Sequence, residues 1–360
     1  MGLPSAGKTV VFNALSRAKV PVATYSAPSS EPNLAVVKVP DSRLTALAQL
    51  FQPRKVTPAE VRYVDVAGLM QGMGRDSQAA QLLAQLRGCD ALLVVVRGFT
   101  NESVAHPLGS VDPERDLDIL ATELMLADLG VVEKRLERLE KEVRSNKGTE
   151  IERQKREREY TLLQGIQALL ADGKPARMMG LDVNDEILLR GYGFLTQKPW
   201  LIALNTDDAG ADDSLIERLR ARWEDSRTQV AAIAGRLEMD LAELSDEEAA
   251  EFLVAWDVAE PALDRVIQLS YKLLDLISFF TVGEDEVRAW TLKRGANAVE
   301  AAAAIHTSIA KAFIRAEVIR YNELLECGGW AEARKRGLLR SEGRTYIVQD
   351  GDVAQFLHNA

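Results

Sequence analysis

The chain has 360 residues, 47% hydrophobic and 27% charged, with a formal net charge of −10. That composition excludes a wholly disordered chain and leaves room for two or three domains of about 100–200 residues each. No apolar run approaches the ~18 residues of a spanning helix, so no membrane partner is expected. The acidic balance argues against broad binding of naked nucleic acid, and no sequence-specific DNA binding is expected. Cys89 and Cys327 are the only cysteines. Two are too few for a disulfide scaffold or a zinc site and suit a reducing compartment, so a cytoplasmic location is expected.

The first motif stands at the start. Gly2-Leu3-Pro4-Ser5-Ala6-Gly7-Lys8-Thr9 matches G-x-x-x-x-G-K-[ST] in full. The two glycines let the loop curl so that successive N–H groups converge on an anion. Lys8 has the reach for β- and γ-phosphates, and the Thr9 hydroxyl is a ligand for Mg²⁺. From Val10 the apolar spacing is helical, which sets a helix N-terminus against the phosphates. Val61–Val66 then alternates as a strand and runs into Asp65-Val66-Ala67-Gly68. A strand-end aspartate in this place holds Mg²⁺ through water, and the Gly68 N–H senses the γ-phosphate.

Residues 89–96 and 200–204 read as buried parallel strands. After the second comes Asn205-Thr206-Asp207-Asp208, where GTP-binding proteins carry N-K-x-D, here without its lysine. The Asp208 carboxylate suits guanine N1 and N2, whereas the Asn205 amide suits adenine. ATP or GTP with Mg²⁺ is therefore expected. Ala234-Gly235 is expected in the last loop flanking the base.

Between these strands, from about residue 114 to 172, the pattern turns to long helices. Leu129, Val132, Leu136, Leu139 and Val143 repeat at 3-4 spacing, and Tyr160, Leu163, Ile166 and Leu170 mark a second helix after a turn at Asn146-Lys147-Gly148-Thr149. The spacing predicts an antiparallel helical hairpin. Arg153, Lys155, Arg156 and Arg158 make a basic cluster on it, either a solvated face or a contact for RNA phosphates. The last part, from about Ser278, predicts strands at Val287–Leu292 and Thr345–Val348, a hairpin turn at Asp350-Gly351-Asp352, and a helix opened by the capping pattern of Asn297 and Glu300. His306 lacks partners for zinc and reads as a hydrogen-bonded packing residue.

Taken together, Gly2-Leu3-Pro4, Asp65-Val66-Ala67-Gly68-Leu69, Phe280-Thr281, Glu286–Thr291, Ile305-His306-Thr307, Phe313–Val318 and Tyr346–Val353 resemble the YchF/Obg-like ATPases over essentially the whole chain. The resemblance implies an α/β fold: a P-loop domain with a mostly parallel sheet over 1–113 and 173–277, an inserted helical coiled-coil arm over 114–172, and a β-grasp (TGS) domain over 278–360. It implies a slow ATP-hydrolysing switch that works with ribosomes or ribosomal RNA, and it favours ATP over GTP. It also implies that a loop histidine, aligned with His106, replaces the glutamine that many relatives carry where this chain has Leu69. Read from its residues alone, His106 is either that catalytic group or a surface histidine.

The chain departs from the family pattern at several points. Ser5 stands where the family usually has asparagine, Ser29 stands where a Mg²⁺-binding threonine is usual, and the run Gly72–Gln78 is one residue shorter. The family carries about eight apolar residues ahead of Gly-Leu-Pro, and Met1 takes the last of those places, so an upstream start is expected. Two other function classes stay open: a nucleotide-gated binding module with little turnover, and a small-molecule kinase.

Overall fold

The structure is a computed structural model and describes all residues except 17–32, 67, 70–76, 146–147, 209, 211, 246–247, 250, 253–260 and 360. In chain order the elements that position the site are α1 (Lys8–Ser16), β1 (Asn33–Lys38), α2 (Ser42–Phe51), β2 (Lys55–Thr57), β3 (Glu60–Asp65), α3 (Ser77–Arg87), β4 (Leu92–Arg97), α4 (Pro113–Arg144), α5 (Glu150–Ala171), β5 (Trp200–Asn205) and β6 (Thr228–Ile233). β1 and β3 pair with each other. The chain divides into two compact units, residues 1–34 with 64–262 and residues 35–63 with 263–360.

In the first unit β4, β5 and β6 form a parallel sheet with Leu92 opposite Trp200 and Trp200 opposite Thr228. Every residue of β5 is buried, as strands covered on both faces by helices require. Leu92, Val94, Val96, Ile202, Leu204 and Val230 pack with Leu117, Leu120 and Leu124 of α4 in one core. Met1 lies beside β4, with its backbone bonded to Leu93 O and Val95 N.

The helical hairpin forms as its spacing predicts. Asp112 caps α4 by accepting from Arg115 N, with Pro113 in the first turn, and Thr149 with Glu152 makes a capping box for α5. Val132, Leu136 and Leu139 of α4 meet Leu162, Leu163, Ile166 and Leu170 of α5. Beneath them Arg135 binds Glu159 through two nitrogens and also reaches Tyr192 and Glu142. Asn146 and Lys147 of the expected turn lie outside the described residues. In the basic cluster Arg153 pairs with Glu150 and Arg158 with Asp185, so part of that charge is neutralised within the chain.

The second unit holds β7 (Leu276–Val282), β8 (Glu286–Lys293), β9 (Phe313–Arg320), β10 (Arg340–Glu342) and β11 (Asp352–His358) in a six-stranded sheet ordered β10-β9-β11-β7-β8-β2. β7 and β8 form an antiparallel hairpin, β11 runs parallel to β7, and helix Ala298–Ile305 packs on one face. This is the β-grasp arrangement. The expected strand at Thr345–Val348 is replaced by a single bridge between Ile347 and Asn297. The reason is visible in its backbone bonds, since Tyr346 O accepts from Ala298 N and Val348 N donates to Ala296 O, tying the segment to the turn and first residue of helix Ala298–Ile305 instead of a strand. Asp350-Gly351 does turn the chain, and β11 follows it; the Asp350 carboxylate accepts from Ser278 N and pairs with Arg43.

β2 joins this sheet at its edge, parallel to β8. Arg43 of α2 lies over the rings of Phe280 and Tyr321. His306 accepts from Ser308 N at the start of helix Thr307–Lys311, a hydrogen-bonded capping role. No described helix is long and apolar enough to cross a membrane.

Candidate functional site

The loop between Met1 and α1 has the backbone its sequence demands. Gly7 has φ 85, and a Cβ there would sit 2.1 Å from Asn205 Nδ2; a Cβ on Gly2 would sit 2.2 Å from Val95 O. No other residue fits either place. Ser5, with φ 61, is a non-glycine residue in the left-handed region, which asparagine tolerates better. Leu3 and Ala6 are buried and anchor the loop from below, Pro4 and Ser5 are half-buried, and Val10 lies in the first turn of α1.

Lys8 and Thr9 open α1 on the phosphate side. Lys8 Nζ donates to Leu3 O at 2.9 Å, folded back on its own loop. Burial pulls its amine down to about 8, against the opposing pull of Asp65. Thr9 Oγ1 donates to Asp65 Oδ2 at 3.3 Å, so β3 delivers its terminal carboxylate to the hydroxyl that the phosphate loop presents. Gly68 comes within about the same reach, since a Cβ on it would lie 3.1 Å from Lys8 Nζ and 3.0 Å from Pro4 N. Ser29 lies outside the described residues, as does the run 72–76.

The depressed Lys8 amine has a measurable consequence. Its folded value lies below the ordinary 10.5, so the unfolded chain binds more protons between these values and stability rises with pH across that window. Phosphate oxygens beside the amine favour its charged form. Nucleotide binding at about pH 9 is therefore expected to take up a proton, and the uptake shrinks toward about pH 7. Calorimetry in buffers of different ionisation enthalpy reads this directly. A heat at the higher pH that is the same in every buffer overturns the assignment.

Asn205 is buried at the end of β5 and spends its amide on the scaffold. Its Nδ2 donates to Ala6 O at 3.0 Å and its Oδ1 accepts from Gly235 N at 3.1 Å. It thus joins the phosphate loop to the loop at Ala234-Gly235, where helix Gly235–Leu241 begins. Asp208 is exposed, three residues further on.

Leu69 belongs to the core. Its N–H donates to Gly2 O and its side chain is buried in the core with Leu3 and Val66. His106 is not in the loop–α1–β3 group of contacts. Its side chain is 4% exposed, with Nε2 2.9 Å from Asp116 Oδ2 and Nδ1 accepting from Leu108 N at 3.1 Å. Arg97, at the end of β4, binds the carbonyls of Phe99, Asn101 and Val104 and so shapes the segment that carries His106. Neither Arg97, at the end of a buried strand, nor Asp116, an acid in a helix's first turn, stands out in the sequence as a neighbour of His106.

Among the described residues no three acidic, histidine or cysteine groups gather as a metal cluster. The pair of Thr9 and Asp65 still fits Mg²⁺ as such sites hold it, with one hydroxyl, one carboxylate through water, and the remaining positions taken by phosphates and waters.

A parallel sheet that sends a glycine-turned loop into a helix, with a strand-end aspartate meeting that helix's first hydroxyl, defines a P-loop nucleotide-binding protein. A family profile described as a 50S ribosome-binding GTPase matches residues 1–143, and one for the YchF-GTPase C-terminal part, described as a protein of unknown function, matches 276–359. The chain is 40% identical to the ribosome-binding ATPase YchF of Haemophilus ducreyi, with 100% of this chain and 98% of that one covered, and 36% identical to that of Bacillus subtilis over the same shares. It superposes on the structure of the Schizosaccharomyces pombe YchF GTPase with a TM-score of 0.85 at 28% identity, covering 99% and 96% of the two chains. The chain belongs to the YchF family.

Proposed function

We propose that this protein is a nucleotide-dependent switch that binds ATP with Mg²⁺, hydrolyses it slowly and works on the ribosome in the cytoplasm. The observation that carries the reading is the meeting of Lys8, Thr9, Asp65 and Gly68 around one helix N-terminus. The nucleotide's phosphates would lie against residues 2–10, on the backbone N–H groups of all but Pro4, which has none, with Lys8 released from Leu3 O to pair with them. Mg²⁺ would be held by Thr9 Oγ1, by Asp65 through water and by Ser29, and would supply charge neutralisation on the phosphates. Water attacks the γ-phosphorus in line with the leaving oxygen while Lys8 and the Gly68 N–H stabilise the charge that develops.

His106 is assigned the water-orienting role that the buried Leu69 cannot fill. Its replacement by alanine is expected to lower ribosome-stimulated turnover about a hundredfold, the usual weight of a positioned acid–base group. Phosphate release measured with and without ribosomes tests both the activity and the trigger. Stimulated turnover that survives in His106→Ala removes the assignment.

ATP is favoured because no lysine accompanies Asp208, so the guanine-reading pattern is incomplete. The relatives named ribosome-binding ATPases support the same choice. Paired calorimetry with magnesium decides it, and GTP binding at least about tenfold tighter than ATP reverses it. A second reading, a nucleotide-gated binding module with almost no turnover, is favoured by the engagement of both His106 nitrogens. In either case residues 114–172 serve as the arm that meets RNA, and 278–360 as the β-grasp part.

A further inference from the structure

The contacts of His106 define its protonation pattern. The Leu108 backbone N–H can only donate, so Nδ1 accepts with its lone pair, and the ring proton sits on Nε2 facing Asp116. Neither nitrogen has a lone pair left for a water. This differs from an acid–base dyad, in which the carboxylate takes one nitrogen and the other faces the reaction.

Asp116 is built to hold this arrangement. It stands in the first turn of α4 and is 2% exposed. Its Oδ2 takes His106, and its Oδ1 takes Arg115 Nε and an Arg115 terminal nitrogen at 3.2 and 2.9 Å. Arg115 also holds Ser110 through its hydroxyl and its carbonyl, fastening the far end of the His106 segment. Arg97, 2% exposed, is the other cation acting with Asp116 and binds the near end of the segment through three carbonyls. The segment is thus pinned at both ends, and the histidine is the residue shut away between them.

We propose that Asp116 is a positioning residue that latches His106 in a resting state, so that water can be oriented only after the His106–Asp116 bond opens. The inference rests on the reading that His106 acts in hydrolysis. It explains slow basal turnover by a conformational cost in place of a missing group, since the competent state is populated only to the extent that the latch opens.

Asp116→Asn tests it. An amide has one acceptor oxygen where the carboxylate has two, so it cannot serve Arg115 and His106 together. Basal kcat for ATP is expected to rise about tenfold, as the loss of one hydrogen bond to a charged group shifts the population. The KM is expected to stay unchanged, and stimulation by ribosomes to shrink by the same factor. His106→Ala/Asp116→Asn should show the low turnover of His106→Ala alone. The chain has three histidines, so the ¹⁵N signals of the wild-type ring are separable and should report the Nε2–H tautomer, which the variant loses.

If basal kcat is unchanged or falls in Asp116→Asn while His106→Ala is inactive, the latch is wrong and the role of His106 stands. Full basal and stimulated turnover in His106→Ala instead removes the reading beneath it. Should Asp116→Asn fail to fold, the wild-type ring still decides: an Nδ1–H tautomer, or averaging between the two, overturns the latch.

Discussion

Lys8→Met is expected to lower kcat/KM for nucleotide hydrolysis about a thousandfold while leaving the fold as stable as before, or slightly more so. The two halves of this result have separate causes. Lys8 supplies the one side-chain cation of the phosphate loop, and a fixed charge in a desolvated site is worth several kcal/mol to a transition state that gathers charge on phosphate oxygens. The folded protein without nucleotide gains little from the same charge. Burial has pulled the amine down to about 8, so the charged form is held at a cost, and its hydrogen bond goes to Leu3 O in the same loop. Methionine keeps the apolar stem and removes the ammonium. Thermal unfolding and steady-state phosphate release on the same sample check the claim. A variant that loses activity only because it melts early would show that Lys8 is a structural residue.

The geometry of the candidate phosphate site was legible in the sequence because it is local. Eight consecutive residues make the loop and Asp65 ends an alternating strand, the two signals that meet in the Thr9–Asp65 contact. The parallel strands and the helical hairpin were legible for the same reason, since continuous apolar runs and 3-4 spacing are properties of single segments. Contacts between distant segments were not. Residues 35–63 stand between two parts of the nucleotide-binding unit, yet they belong to the second unit, with β2 on the edge of its sheet and Arg43 against Phe280. Three residues of β2 carry no pattern that names a partner 231 residues away, Lys55 opposite Glu286. Thr345–Val348 failed differently: its composition suits a strand, but its backbone partners are the start of a helix and the turn before it. The His106–Asp116 pair is close in sequence, ten residues apart. It stayed hidden because Asp116 reads as an ordinary acid in a helix's first turn, where acids are favoured for the helix dipole alone.

Asn205→Ala and Asp208→Ala are expected to separate along a line that the N-x-x-D pattern conceals. In GTP-binding proteins the two positions are read as one base-recognition motif. Here they differ in what they touch. Asn205 is 3% exposed and closes a bridge from Ala6 O to Gly235 N, whereas Asp208 is exposed. Alanine at 205 leaves a buried carbonyl and a buried N–H without their partner, at about 1–3 kcal/mol each. It also loosens the phosphate loop at Gly7, whose backbone lies directly against the Asn205 amide. Unfolding by denaturant should therefore report a loss of about 2–4 kcal/mol, and ATP and GTP should both bind more weakly. Asp208→Ala should leave stability within about 0.5 kcal/mol of the wild type, as surface changes do, and alter only the ratio of GTP to ATP affinity. Asn205→Asp sharpens the contrast. Its carboxylate can still accept from Gly235 N but presents an oxygen to the Ala6 carbonyl, so it should be no more stable than alanine. An Asn205→Ala variant of unchanged stability whose affinity falls for one nucleotide alone would make Asn205 a base reader and not the bridge that holds the two loops together.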